Sequence, residues 1–391
     1  MSQELEQGGL HITIGSTPQV AEIGQSSKIV FENDLRMVKA ALLYANHATL
    51  CSVTSSALLE LVAMQDIPRE KRVSYIKEMV SWMGDDEAAR LLTGMMALFE
   101  QSNDPMWAKF LEDTLADGWN TVREHVNNFL RDGGGEGILR AIESGLLEVH
   151  HFDAALRRAV QETERRNFII EYVAVVGASM SNAHTYPLFD EDTSEIISAG
   201  IQAGLISAPD SAVARGKEVR LATDLLARLP LFPQATIKET LDIRRELESH
   251  LKRFQSAIIK FSEAIKTASW DKDFAHDADR VLRRDVEPAI QNIEEEVKAN
   301  KFIRKLLRKF VDKPMAVPVG SALALAMSNL PLSGIALLAA GGIVGGGSAL
   351  HDAHEEWSEK MREVQQNNLF FYYRTKNLLA DRKYDYVSDK E

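Results

Sequence analysis

One cysteine, Cys51, in 391 residues excludes an intrachain disulfide, and a chain so poor in thiols fits a reducing compartment. Positive charge is not in excess. The net charge of -12 argues against broad nucleic-acid binding, which uses a basic face, while leaving room for a local basic patch. The start, MSQELEQGGLHITIG, has neither a basic opening nor an apolar core, so no secretory signal is expected. Neither end carries a lipidation box. Any membrane is therefore expected to be met from the cytoplasm, after folding.

Reaction signatures are also missing. Neither Gly133–Gly137 nor Gly341–Gly347 is followed by the Lys-Ser/Thr of a phosphate loop. Gly177 to Ser181 lacks the second glycine of a nucleophile elbow, and a helix end explains it better. His351 and His354 in HDAHEE lie three apart, a spacing that can put two imidazoles on one helix face, but the order His-Glu-x-x-His is absent. A helix start after the preceding apolar stretch accounts for them. His150-His151 followed by Asp153 reads as a loop before a helix. Asp190, Glu191, Asp192 and Glu195 meet no calcium-loop spacing and read as a solvated loop. Cys51 sits in an apolar strand candidate and reads as packed. No catalytic residue, metal or cofactor is expected from these patterns.

Hydrophobic residues make up 45% of the chain and charged residues 26%, which is ordinary for a globular protein with ample core. The length suggests two domains, with three as the alternative. The fold class expected is mainly α: a small N-terminal α/β element, then a bundle of long antiparallel helices with an apolar hairpin. The N-terminal domain is placed at 1–207 and the long-helix domain at 208–391, with 209–216 as the linker candidate. Leu10–Ile14 and Ala48–Val53 read as strands flanking a helix over Asp34–Asn46, too little for a doubly wound domain. Lys28–Glu32 is a further strand candidate. Helices are expected over Gly137–Leu147 and Phe152–Ser181, with a loop over Ala183–Asp192.

Farther on, Thr236 and Glu239 form a capping-box pattern opening a helix to about Ala268. Leu247, Leu251, Phe254, Ile258, Phe261 and Ile265 alternate spacings of four and three, as in a heptad seam. Val286, Ile290, Ile293 and Val297 repeat it on a second helix, which Pro288 should kink or restart. Phe370-Phe371-Tyr372-Tyr373 reads as an aromatic anchor on the last helix.

The most unusual feature is Pro314–Leu350, 37 residues without a charge. Its two apolar arms meet at Ser328–Pro331, and only the second nears the roughly twenty residues of a bilayer crossing. Gly341 and Gly345, and Gly342 and Gly346, sit four apart, a pattern that allows close helix approach in lipid or in a tight core. Just before it, Lys301–Lys313 places Arg304, Lys305, Arg308 and Lys309 opposite an apolar face, as on helices lying against anionic membranes. Ordinary surface helices share this pattern.

The run LDIRRELESHLKRFQSAI (Leu241–Ile258), the Gly/Ala-rich stretch and NNLFFYYR (Asn367–Arg374) together resemble a set of uncharacterised bacterial proteins, mainly over the C-terminal half. The resemblance implies a bacterial or phage-related origin and no activity. In layout alone, a long helical pair with an apolar hairpin is similar to α-helical pore-forming toxins.

These patterns set the expectation of a non-enzymatic protein that acts on or senses an anionic membrane, with bacterial defence against phage, or competition, as its setting. Arg304, Lys305, Arg308, Lys309, Leu337, Ile343 and Val344 would touch the membrane, and Gly341, Gly342, Gly345 and Gly346 would pack the hairpin. A protein partner or a second copy would meet the long helices, and location would be cytoplasmic with conditional membrane association. The alternative is a soluble interaction scaffold in which the hairpin is core.

Overall fold

The computed structural model describes residues 9–17, 31–68, 130–155, 162–298 and 358–388, with scattered positions between 71 and 128. The protein is mainly helical, with a small N-terminal parallel sheet of four strands. Packing divides the chain into two compact units, Met1–Glu246 with Ile265–Asp277, and Leu247–Ala264 with Ala278–Glu391.

In the first unit the order is β1 (His11–Gly15), α1 (Glu32–Tyr44), β2 (His47–Cys51), α2 (Val53–Met64), α3 (Gly135–Glu143), β3 (Leu147–Val149), α4 (Glu162–Ser181), β4 (Thr185–Phe189), α5 (Glu191–Gln202), α6 (Asp210–Ala227) and α7 (Ile237–Glu246). All strand pairs are parallel, in the spatial order β3-β2-β1-β4. The chain thus moves from β1 outward through β2 to β3, then returns to place β4 on the far side of β1. The direction of winding reverses between β1 and β4.

Side-chain alternation along the strands gives the sheet two buried faces. Ile14, Leu50 and Leu188 stand in register, and so do Gly15, Cys51 and Phe189 one residue on. Cys51 and Phe189 join a core with Phe168, Tyr172, Val176 and Ile197 from α4 and α5. α1 packs on β2, and α6 packs on both β4 and α1. Helices therefore cover both faces, as parallel sheets require.

One buried and two half-buried cations tie these layers together. Lys39 on α1 donates to the carbonyls of Phe232 (3.4 Å), Pro233 (2.9 Å) and Ala235 (3.1 Å), with its Nζ 5.5 Å from the Phe232 ring centroid. Burial holds its pKa below the usual lysine value, against the opposing pull of Glu239 and Glu32. Arg244 on α7 donates to the carbonyls of Leu42 and Ala45, so a guanidinium satisfies the electronegative end of α1. Arg215 on α6 does the same at the turn into β4, reaching Thr185 O at 2.7 Å and Asn182 O at 2.9 Å.

Several local expectations are met and others are not. Thr236 and Glu239 form the reciprocal capping box, with Glu239 N donating to Thr236 Oγ1 at 3.2 Å and Thr236 N to Glu239 Oε2 at 2.7 Å. The linker candidate 209–216 instead opens α6, whose Ala212 and Gly216 are buried. Glu32, expected at the end of a strand, begins α1. The loop expected over Ala183–Asp192 contains β4 and the start of α5.

After α7 the helix expected to run unbroken is interrupted at Leu247 and resumes as α8 (Glu248–Ser262). α9 (Phe274–Val281) leads into a π-helical turn over Leu282–Val286, where Glu287 N bonds back to Leu282 O. Pro288 follows at once. It has no N–H to give the fourth carbonyl before it, and the wider turn absorbs the mismatch. In the second unit Leu251, Phe254, Ile258, Val286, Ile290, Ile293 and Val297 are all buried. α10 (Phe370–Ser388) packs on α8 through Phe371, whose ring stacks 5.1 Å from Phe254. The aromatic run at 370–373 is the anchor that its composition suggested.

Candidate functional site

Polar side chains converge at the carboxyl ends of β1, β2 and β4. Gly15 closes β1 against the residues that flank this edge. A Cβ there would come within 3.0 Å of Phe189 Cδ1 and 3.1 Å of both Thr193 Cγ2 and the Tyr172 hydroxyl. Glycine lets the strand pass close to β4, and Ser16 and Thr17 emerge at the edge.

Asp34, in the first turn of α1, is the buried centre of one half of the cluster. Its Oδ1 accepts from Ser16 Oγ at 2.5 Å, and its Oδ2 accepts from Ser52 Oγ at 2.7 Å and Ser55 Oγ at 2.6 Å. Ser52 also caps α2, accepting from Ser55 N at 3.2 Å. Burial pushes the Asp34 carboxyl above the usual aspartate range. The three serine hydroxyls pull it down without offsetting the burial, and the charge of Asp190 adds to the rise.

Asp190 centres the other half. It caps α5 and is only 6% exposed. Its Oδ1 accepts from Thr193 N at 2.8 Å and Thr17 Oγ1 at 3.3 Å, and its Oδ2 accepts from Thr17 N at 2.8 Å and Asn33 Nδ2 at 2.9 Å. A carboxylate offers about four lone-pair positions, so this one is fully engaged. Thr193 Oγ1 continues the network to Thr17 Oγ1 and to the Tyr172 hydroxyl, each at 2.7 Å. Burial raises the Tyr172 pKa well above its ordinary value, which keeps that hydroxyl neutral.

Asn33 joins the halves. Its Nδ2 donates to Ser16 Oγ at 3.1 Å as well as to Asp190, while its Oδ1 accepts from Arg36 at 3.0 Å. The N-termini of α1, α2 and α5 all lie at this edge. Their partial positive charge favours carboxylates there.

Beside the network runs a small groove between α1 and α6, floored by the end of β4. Arg36, Met37, Leu188, Asp190, Arg220 and Asp224 line it. Arg220 Nη1 donates to Phe189 O at 2.5 Å, and its Nε lies 3.2 Å from Asp224 Oδ1. Burial raises the Asp224 pKa, opposed by Arg220, Arg228 and Arg36. A second groove, within the C-terminal unit, is lined by Ala257, Lys260, Phe261, Asn367 and Leu369 and gathers no cluster of opposed charges.

The residues singled out from the sequence for membrane contact and hairpin packing lie outside the described residues. These are Arg304, Lys305, Arg308, Lys309, Leu337, Gly341, Gly342, Ile343, Val344, Gly345 and Gly346. His351 and His354 do as well. His150 follows β3, its N–H donating to Leu50 O at 2.9 Å and its ring meeting Phe152 edge-on, while His151 is exposed with its Nε2 3.6 Å from Asp153. Asp190 is a buried cap rather than part of a solvated loop, whereas Glu191 and Asp192 are exposed and Glu195 pairs with Lys272 at 2.9 Å. Cys51 is packed, and burial pushes its thiol up to about 12, far from a reactive thiolate. Among the described residues no three His, Cys, Asp or Glu side chains gather as a metal site. Among them, too, no helix is long and apolar enough to cross a membrane.

Sequence reasoning missed Ser16, Thr17, Asn33, Asp34, Ser52, Ser55, Tyr172 and Thr193. A signal was available for some of them. The strand candidate Leu10–Ile14 already places Ser16 just past a strand end, and the helix candidate Asp34–Asn46 places Asp34 in a first helical turn. Ser52, in contrast, falls inside the candidate Ala48–Val53 and emerges past a strand end only because β2 stops at Cys51.

No family model, curated protein or solved structure matches the chain.

Proposed function

We propose that the N-terminal unit is a ligand-binding α/β module whose ligand, a small polar organic molecule, docks at the carboxyl edge of the sheet between β1 and β4. The observation that carries this reading is the reversal of winding between those two strands, with a groove and a fully bonded polar network at the same place. Open parallel sheets bind ligands outside the carboxyl ends of their strands, at such reversals, because neighbouring loops diverge there and leave a crevice. The bonds of Asp190 and Asn33 keep the rim fixed before a ligand arrives, which lowers the ordering cost of binding.

A panel of nucleosides, sugars, sugar phosphates, amino acids and organic acids, screened by thermal unfolding of the full chain, tests the reading. At least one compound should raise the unfolding temperature in proportion to the logarithm of its concentration, as mass action requires. Thr17→Val should blunt the shift. A flat panel, or shifts indifferent to Thr17, would overturn the reading.

For the C-terminal half we propose membrane contact through Lys301–Leu350, favoured by the 37 uncharged residues behind a basic amphipathic segment. In this reading the long helices pair antiparallel and the uncharged stretch forms a hairpin, conditionally engaging anionic lipid from the cytoplasm. Defence against phage, or competition between bacteria, is its setting. A protein partner or a second copy docks on the long helices.

A further inference from the structure

We infer that the ligand carries a phosphate or carboxylate group, held in the groove by the guanidinium groups of Arg36 and Arg220. The inference rests on the ligand-binding reading above and names the chemistry of that ligand.

The acidic groups of the edge look at first like the recognition elements, yet they are already engaged. Asp190 has its four acceptor positions filled by Thr17, Thr193 and Asn33. Asp34 is buried beneath three serines. Asn33 has both donors committed, and its carbonyl oxygen already accepts from Arg36. A ligand cannot bond any of them without breaking the network that shapes the rim.

The arginines are in the opposite position. A guanidinium has five N–H donors. Arg36 commits Nη2 to Asn33, and Arg220 commits Nη1 to Phe189 O and Nε to Asp224. The remaining donors belong to two side chains, one on α1 and one on α6, that line opposite walls of the groove. Planar guanidinium forks match the oxygens of phosphate and carboxylate, where a lysine would offer only a point charge. Met37 and Leu188 also line the groove but are only 7% and 3% exposed, so recognition falls to the arginines and the anionic group. Asp224 is the one acid in the groove with room to interfere. It lies against Arg220, and its burial works against its charge.

The test is calorimetric titration of the full chain with ribose, ribose 5-phosphate, ribonate and inorganic phosphate. These probes separate a phosphate from a carboxylate on one carbon frame, and either from the free ion. At least one anionic sugar should bind about tenfold or more tighter than ribose, the order expected for charge-assisted hydrogen bonds. Arg36→Gln should erase that advantage without unfolding the chain, because Arg36 is exposed. Asp224→Asn should move affinity the other way. If the neutral compounds of the panel stabilise the chain while no anion gains over its neutral parent, the anionic inference falls and the ligand-binding reading stands. If neither binds, both fall. An anion advantage unaffected by Arg36→Gln also overturns the inference.

Discussion

Asp34→Ala is expected to lower unfolding stability by about 3 kcal/mol, a large fraction of the 5–15 kcal/mol typical of a domain. The substitution removes the shared acceptor of Ser16, Ser52 and Ser55, all within 2.7 Å of it and all nearly inaccessible to water. Three hydroxyls are then left in a space that the carboxyl filled, and each unmet buried donor carries a penalty of about 1 kcal/mol or more. Ser55→Ala removes one donor and leaves nothing stranded, so its loss should be about 1 kcal/mol. Urea unfolding midpoints read both. Equal effects for the two variants would show that the carboxyl is not the organiser of the edge.

The pH dependence of the same residue has a definite sign. Burial lifts the Asp34 pKa in the folded chain above its unfolded value, so folding favours the protonated form. Its contribution to stability is therefore fully present below the ordinary aspartate range and is lost as pH rises through the raised value. Relative to Asp34→Asn, which cannot ionise, the natural protein should lose stability as pH climbs from that range. A difference that grows in the opposite direction would mean that the three serines outweigh burial.

The second large effect concerns the C-terminal half. Purified protein is expected to release dye from vesicles rich in anionic phospholipid and to leave neutral vesicles intact, with release weakening as salt screens the basic segment. Gly345→Leu should cut release about tenfold. A branched side chain at a small-residue position forces helix backbones apart, and such contacts in lipid are worth on the order of 1–2 kcal/mol. Release unchanged by Gly345→Leu, or absent from vesicles of every charge, would favour the alternative in which the uncharged stretch is permanent core.

Legibility differed between the two halves of the sheet. β1, α1 and β2 were readable because apolar alternation, helical period and a β-rich run follow one another over some forty residues. β3 has three residues, Leu147–Val149, too few for a period of two to declare itself. β4 contains Pro187, which normally argues against a strand. It is tolerated because β4 is the edge strand of the sheet among the described residues, paired there with β1 alone. Without β3 and β4 the parallel order could not be drawn, and the reversal between β1 and β4 stayed hidden.

The site was illegible for a related reason. Thr17 and Asp190 are 173 residues apart and meet only because β4 returns beside β1. Asp190 sat among Glu191 and Asp192, and a run of acids normally faces water. A buried cap and its exposed neighbours look alike until the helix they precede is known. Thr236 and Glu239, in contrast, act on each other within one turn, and their pattern was sufficient alone.

The most direct test of the ligand-binding edge is amide hydrogen–deuterium exchange on the full chain, with and without the most stabilising compound of the panel. Added protection should fall together on residues 15–17, 33–37, 188–193 and 220–224, which are far apart in sequence and joined only by the sheet order. Protection confined to other segments, such as those around Ala257 and Asn367, would contradict it.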